Sequence, residues 1–182
     1  MEQYQSVLKR LEQTAREFTN IAPENGTFLS ILVQGIKAKS VLEVGTSNGY
    51  SAIWFGAVLK ETGGKLTTIE IDPSRAEMAK ANLNEAGLGD VVEVRLGDAV
   101  WEIQVCDSTF DFVFLDGEKG EYLSYLKAAL PKIRKGGLIA ADDTTLLRHE
   151  MRDYVDFVFN TPTLQSVDLP LDDGVILSYK RQ

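Results

Sequence analysis

The chain has 182 residues, 44% hydrophobic and 25% charged, which suits one soluble domain with a substantial core. Its net charge of −8 and its scattered Lys and Arg disfavour a nucleic-acid surface without excluding a local basic patch. No apolar run approaches the roughly 20 residues of a membrane span. The polar start "MEQYQSVLKRLEQTAREF" does not read as a secretory signal, and the single Cys106, read as a small buried side chain, has no partner for an internal disulfide, so the expected location is the cytoplasm.

In chain order, the spacing of Val7, Leu8, Leu11, Ala15 and Phe18 predicts a helix over residues 2–18. A loop over 20–26 and a second helix over about 27–36 follow. The period then changes. Short apolar strands are predicted at 40–44, 66–71, 91–96, 110–115 and 137–141. Asp72 as cap, Pro73 at the first helical position and Gly87 as stop bracket the helix after the second strand. A helix carrying Tyr122, Leu126 and Leu130 follows the fourth strand, and helical spacing continues over 146–159. Two last strands flank the turn-rich "PLDDG", with no helix between them. Alternating strands and helices predict a single α/β domain, its mainly parallel sheet covered on both faces, with a terminal hairpin that makes one strand antiparallel. Residues 1–38 are its N-terminal helices and 39–182 its core.

The stretch "VLEVGTSNGYSA" carries the first chemistry: an apolar strand runs into Gly45, Thr46, Ser47, Asn48 and Gly49, then into a helix starting near Tyr50 and Ser51. In open α/β sheets, ligands bind at the carboxyl ends of the strands where strand order reverses, and glycines allow close backbone approach. The spacing is G-x-x-x-G, so the dinucleotide fingerprint G-x-G-x-x-G and the P-loop are both absent. Glu43, two residues before Gly45, would repel a phosphate. A nucleoside with a cationic centre and no phosphate fits better, and S-adenosylmethionine is such a ligand. Glu70, followed by Ile71 at the end of the second strand, suits the ribose hydroxyls. Gly97, Asp98 and Ala99 follow the third strand, where adenine is expected, with Asp98 either a ligand contact or a helix cap. Tyr50 either shields the methionine portion or packs on the sheet. Trp101 is either core or an adenine wall, Trp54 and Phe55 read as core, and His149 reads as a solvated helix face.

A second constellation follows. Asp116, Lys119 and Tyr122 stand at D-x-x-K-x-x-Y spacing, and Asp142 and Asp143 end the next strand. Neighbouring strands lie about 4.8 Å apart, so these acids should converge. Three close carboxylates repel, and a divalent cation relieves them; oxygen-only ligands favour Mg²⁺, with Mn²⁺ or Ca²⁺ as alternatives. Such an ion would acidify an acceptor hydroxyl, and Lys119 would act as general base if desolvation and the ion lowered its pKa. The rival reading is a surface Lys119–Asp116 pair with Asp142 and Asp143 as helix caps.

With these segments assembled, the sequence resembles the cation-dependent O-methyltransferases of the caffeoyl-CoA and catechol type. "VLEVGTSNGYSA", "TTIEID", "FVFLDGEKGEYLSYL", "GGLIAADD" and "LPLDDGVILSYK" occur in the family's order. The resemblance implies a Rossmann-like methyltransferase fold with seven strands, one of them antiparallel. It implies methyl transfer from S-adenosylmethionine to a hydroxyl of a small, often catechol-like acceptor, and a homodimer. By the same resemblance Asp116 touches both metal and cofactor, Asp116, Asp142 and Asp143 form the metal set, and Lys119 is the base. Three departures stand out: Asp143 where the family usually has Asn, a shorter N-terminus, and a shorter acceptor loop after Asp143 without its usual Gly. Rival functions are a tRNA or nucleoside hydroxyl methyltransferase, a metal-free methyltransferase, a non-catalytic cofactor-binding protein, and an NAD oxidoreductase, which the missing G-x-G-x-x-G disfavours.

Overall fold

Strand β4 (Phe110–Leu115) sets the layering. In the computed structural model, which describes residues 3–182, Phe112 and Phe114 enter one hydrophobic cluster and Val113 and Leu115 the other. All four are buried, as a strand covered on both faces requires. The other strands are β1 (Ser40–Val44), β2 (Lys65–Glu70), β3 (Val92–Leu96), β5 (Ile133–Ala141), β6 (Leu164–Leu169) and β7 (Val175–Lys180). They form one sheet in the order β3-β2-β1-β4-β5-β7-β6. Only β7 runs antiparallel to its neighbours, as the hairpin predicts.

Helices α1 (Gln3–Glu12), α3 (Pro23–Gly35) and α4 (Tyr50–Thr62) cover one face; α6 (Ala99–Val105), α7 (Tyr122–Ala129) and α8 (Arg152–Asn160) supply the cluster on the other. Phe55 of α4 sits 5.7 Å from Phe112 and 5.5 Å from Phe114, ring to ring, and Tyr122 meets Tyr154 edge-on at 5.7 Å. Helix α5 (Pro73–Glu85) starts as read: Asp72 accepts from the backbone N–H groups of Ser74 and Arg75, and Pro73 follows at the first position. Among the described residues no helix is long and apolar enough to cross a membrane.

Four boundaries differ from expectation. The predicted helix over 2–18 breaks after Glu12, with α2 (Ala15–Phe18) beyond; its expected start at Glu2 lies outside the described residues. The Thr14 hydroxyl and the Asn20 amide both donate to the carbonyl of Leu11, which ends the helical ladder and turns the chain toward the sheet. Helix α3 begins at Pro23 rather than near Thr27, because proline at the first position starts a helix it cannot continue. Residues 144–151 form turns, not helix. The backbone N–H groups of Thr144, Thr145 and Leu146 donate to carbonyls of Gly174 and Asp173, which ties the segment to the hairpin loop. Strand β5 starts at Ile133 rather than 137, with a register irregularity opposite Phe110 and Phe112.

Strand order reverses between β1 and β4, and the residues just past the strands continue the ladder. Gly45 N–H donates to Ile69 (3.0 Å), Asp116 N–H to Val44 (2.9 Å), and Asp142 N–H to Leu115 (3.0 Å). Gly45 therefore lies against Asp116. A β-carbon at Gly45 would stand 2.6 Å from the carbonyl carbon of Asp116, and its φ of +93° is left-handed. Gly45→Ala should destabilise the fold by more than about 2 kcal/mol in urea unfolding, whereas Gly35→Ala, with open space around it, should be neutral or stabilising.

Candidate active site

One cavity of about 470 Å³ opens at this switch point, within the range of small-ligand sites. Gly45, Thr46, Ser47, Tyr50, Ser51, Glu70, Ile71, Asp116, Lys119 and Asp143 line it, so both sequence constellations meet in one place. Glu43, Gly49, Gly97, Asp98, Ala99 and Asp142 do not line it. Gly49 caps the start of α4 at φ +87°, a left-handed conformation that favours glycine, and a β-carbon there would meet Ala79 of α5 at ordinary contact distance. Asp98 accepts from Trp101 N–H at 2.9 Å and so caps α6, the cap reading of that residue. Trp101 is 62% exposed, which removes its core reading. Phe55 and Cys106 are buried as expected, and His149 is solvent-facing as expected but on a turn rather than a helix. Trp54 is partly buried against the core.

Sequence reasoning missed a third wall. Phe18, Thr19, Asn20 and Ile21 lie over the glycine loop, held by Ser47 Oγ donating to the Phe18 carbonyl at 3.2 Å. Tyr50 ties α4 to the end of α1: its hydroxyl donates to Glu12 at 3.1 Å, and its ring meets Trp54 edge-on. Arg75, Leu147 and Glu150 also line the cavity without any motif to announce them, and Glu118 joins them from within the D-x-x-K segment.

At the glycine-loop end, Glu70 organises backbone first. Its Oε1 accepts from Ile71 and Asp72 N–H, both at 2.9 Å, and its Oε2 from Ser47 N–H at 2.8 Å. Oε2 thus has one backbone donor and keeps a lone pair for a hydroxyl. Beneath the loop lies Glu43, fully buried. Among the described residues neither of its oxygens meets hydrogen-bond geometry. Burial pushes its carboxyl up to about 8, against the nearby Ser51 and Thr68 hydroxyls, which favour the charged form.

At the opposite end, Asp116, Asp142 and Asp143 each offer an oxygen within 4.8 Å of the others. Asp142 is buried, and its Oδ1 is unpartnered among the described residues. Asp143 has φ +58°, a left-handed conformation that Asp tolerates. Lys119 Nζ donates to Asp116 Oδ1 (2.9 Å) and to the Tyr122 hydroxyl (2.9 Å), and pairs with Asp143 Oδ2 (2.8 Å). Burial lifts Asp116 to about 6 despite Lys119, and lifts Asp142 well above the carboxylate range. Burial pulls the Lys119 ammonium down, but Asp116 and Asp143 outweigh it and hold the pKa above the ordinary lysine value. An all-oxygen set with one orphaned oxygen fits a hard divalent cation. Oxygens within 4.8 Å of one another are close enough for one such ion to be held by all three.

A family model described as O-methyltransferase matches residues 2–181. A catechol O-methyltransferase of Niastella koreensis is 38% identical over 128 residues, 68% of this chain and 58% of that protein. The chain thus spans less than two thirds of that relative's length. A caffeoyl-CoA O-methyltransferase of Petunia hybrida is 31% identical over 91% of this chain and 79% of its own length. The crystal structure of an O-methyltransferase from Bacillus cereus in complex with SAH superposes with a TM-score of 0.86 at 28% identity, covering 97% of this chain and 91% of that one.

Glu43 carries a pH signature. Between pH 4.5 and about 8 the unfolded chain ionises this carboxyl while the folded chain keeps its proton. Its share of stability is therefore full below that window and is lost as pH rises through it. Glu43→Gln should match wild type near pH 4.5 and exceed it at pH 9 by on the order of 2–4 kcal/mol in urea unfolding.

Proposed function

Because the chain belongs to the O-methyltransferase family, we propose that it moves a methyl group from S-adenosylmethionine to a hydroxyl of a small, catechol-like acceptor with a divalent cation's help. The observation that carries this reading is the shared cavity: the bare Gly45 loop and Glu70 line one end, and Asp116, Lys119 and Asp143 the other.

Each end has a task. Glu70 Oε2 accepts a ribose hydroxyl while its backbone bonds hold Ser47 and the loop in place. The loop backbone lets the methionine portion lie close, with the strap at 18–21 excluding water above it. Asp116, Asp142 and Asp143 hold the cation. When bound, the cation supplies Lewis acidity that lowers the pKa of an acceptor hydroxyl. Lys119 Nζ receives that proton once its ammonium has given up its own; with Asp116 and Asp143 unneutralised it stays charged. The acceptor oxygen forms the new bond to the methyl carbon as the carbon–sulfur bond breaks, and S-adenosylhomocysteine leaves. Most of the acceleration comes from holding the two reactants in line. A metal-free methyltransferase is the second reading, and the Lys119 bridge supports it, because an ammonium already neutralises part of the acidic cluster.

Calorimetric titration should show S-adenosylhomocysteine binding, weakened about tenfold or more by Glu70→Gln. Methyl transfer to a catechol should depend on Mg²⁺, stop in EDTA, and fall at least about 100-fold in Asp116→Asn. Cofactor binding with full transfer in EDTA would select the metal-free reading; binding of NAD in place of S-adenosylhomocysteine would overturn both.

A further inference from the structure

The acidic cluster already has a cation. Lys119 Nζ lies 2.9 Å from Asp116 Oδ1 and 2.8 Å from Asp143 Oδ2, and its side chain is 11% exposed. Its third partner, the hydroxyl of buried Tyr122, aims at the same corner from α7. Two of the three carboxylates that could ligate an ion are therefore engaged by an ammonium, and the third, Asp142, keeps a buried oxygen without a partner.

We propose that Lys119 is the resident cation of this triad, and that a divalent ion binds only by taking the Asp116 and Asp143 oxygens from it. The proposal rests on the metal-assisted reading above and adds what controls it. A divalent ion sharing oxygens with an ammonium would face a repulsion twice that of two unit charges, in a site largely shielded from water. One of the two must leave. Asp116 and Asp142 sit on rungs of the sheet and stay, whereas Lys119 has a flexible four-carbon stem. Lys119 thus lowers the site's affinity for the ion and keeps the ion-free chain from leaving three close carboxylates uncompensated. Ion binding in turn releases the ammonium from its carboxylates inside the cavity, ahead of the acceptor.

The test uses the full chain and Mn²⁺ alone, with free ion read by electron paramagnetic resonance at fixed pH and ionic strength. Lys119→Met should bind Mn²⁺ about tenfold tighter than wild type and melt several degrees lower in EDTA, the loss being recovered in Mn²⁺. Lys119→Arg keeps the charge and should stay within about threefold of wild-type affinity, which also covers a Lys119→Met chain that fails to fold without ion. In an Asp143→Asn background the Lys119→Met gain should shrink, because only Asp116 then holds the ammonium. Mn²⁺ affinity unchanged or weaker in Lys119→Met, with wild type binding the ion, would overturn the competition and leave the metal-assisted reading standing. An undiminished gain in the Asp143→Asn background would also overturn it, as the mark of long-range repulsion alone. No Mn²⁺ binding by any variant would sink both the competition and metal assistance.

Discussion

The site depends on one contact, the seam where β1 and β4 run side by side at the reversal of strand order. Past the last paired residues, Val44 and Leu115, the Asp116 N–H still bonds to the Val44 carbonyl, and Gly45 still bonds across to Ile69. The two chains then part, one into the glycine loop and one into the Asp116–Lys119 turn. The cavity is the gap they leave, and only a residue without a side chain at Gly45 lets the seam close. The same ladder carries Asp142 onto the next rung beside Leu115. Backbone register therefore puts the glycine loop and the acidic cluster around one small volume before any side chain is considered.

The charge of that volume is unusual for an interior. Glu43, Asp116 and Asp142 are pushed toward their neutral forms chiefly by burial, and Lys119 is the one buried cation among them in the described residues. Three backbone N–H groups bond Glu70, so it serves as a joint between the loop and β2 while keeping a free lone pair.

What the sequence made legible is what local chemistry dictates. Asp72 before Pro73 names its own cap, and the Gly45 loop and the D-x-x-K-x-x-Y run each sit at the end of an apolar strand, where α/β sheets place their ligands. The seven strands and the single antiparallel one followed from alternation and the missing last helix. The strap over 18–21 was not legible, because its closeness to Ser47 comes from helix packing across the sheet. Helical spacing runs over 146–159, yet the helix begins only at Arg152, and the tie of Thr144, Thr145 and Leu146 to the hairpin loop at 173–174 is visible only in three dimensions. The Lys119–Asp143 pair joins the turn after β4 to the end of β5, and spacing gave its members but not their contact.

The central claim is that one cavity holds a methyl donor at the Gly45–Glu70 end and a divalent ion at the acidic end. Diffraction from crystals grown with S-adenosylhomocysteine and Mn²⁺, recorded at the manganese absorption edge, tests it most directly. The account predicts an anomalous peak about 2.2 Å from oxygens of Asp116, Asp142 and Asp143, ribose hydroxyls on Glu70, and the thioether sulfur facing the ion across the cavity. A cofactor bound elsewhere, or a cavity holding cofactor with no anomalous peak at the three aspartates, would contradict it.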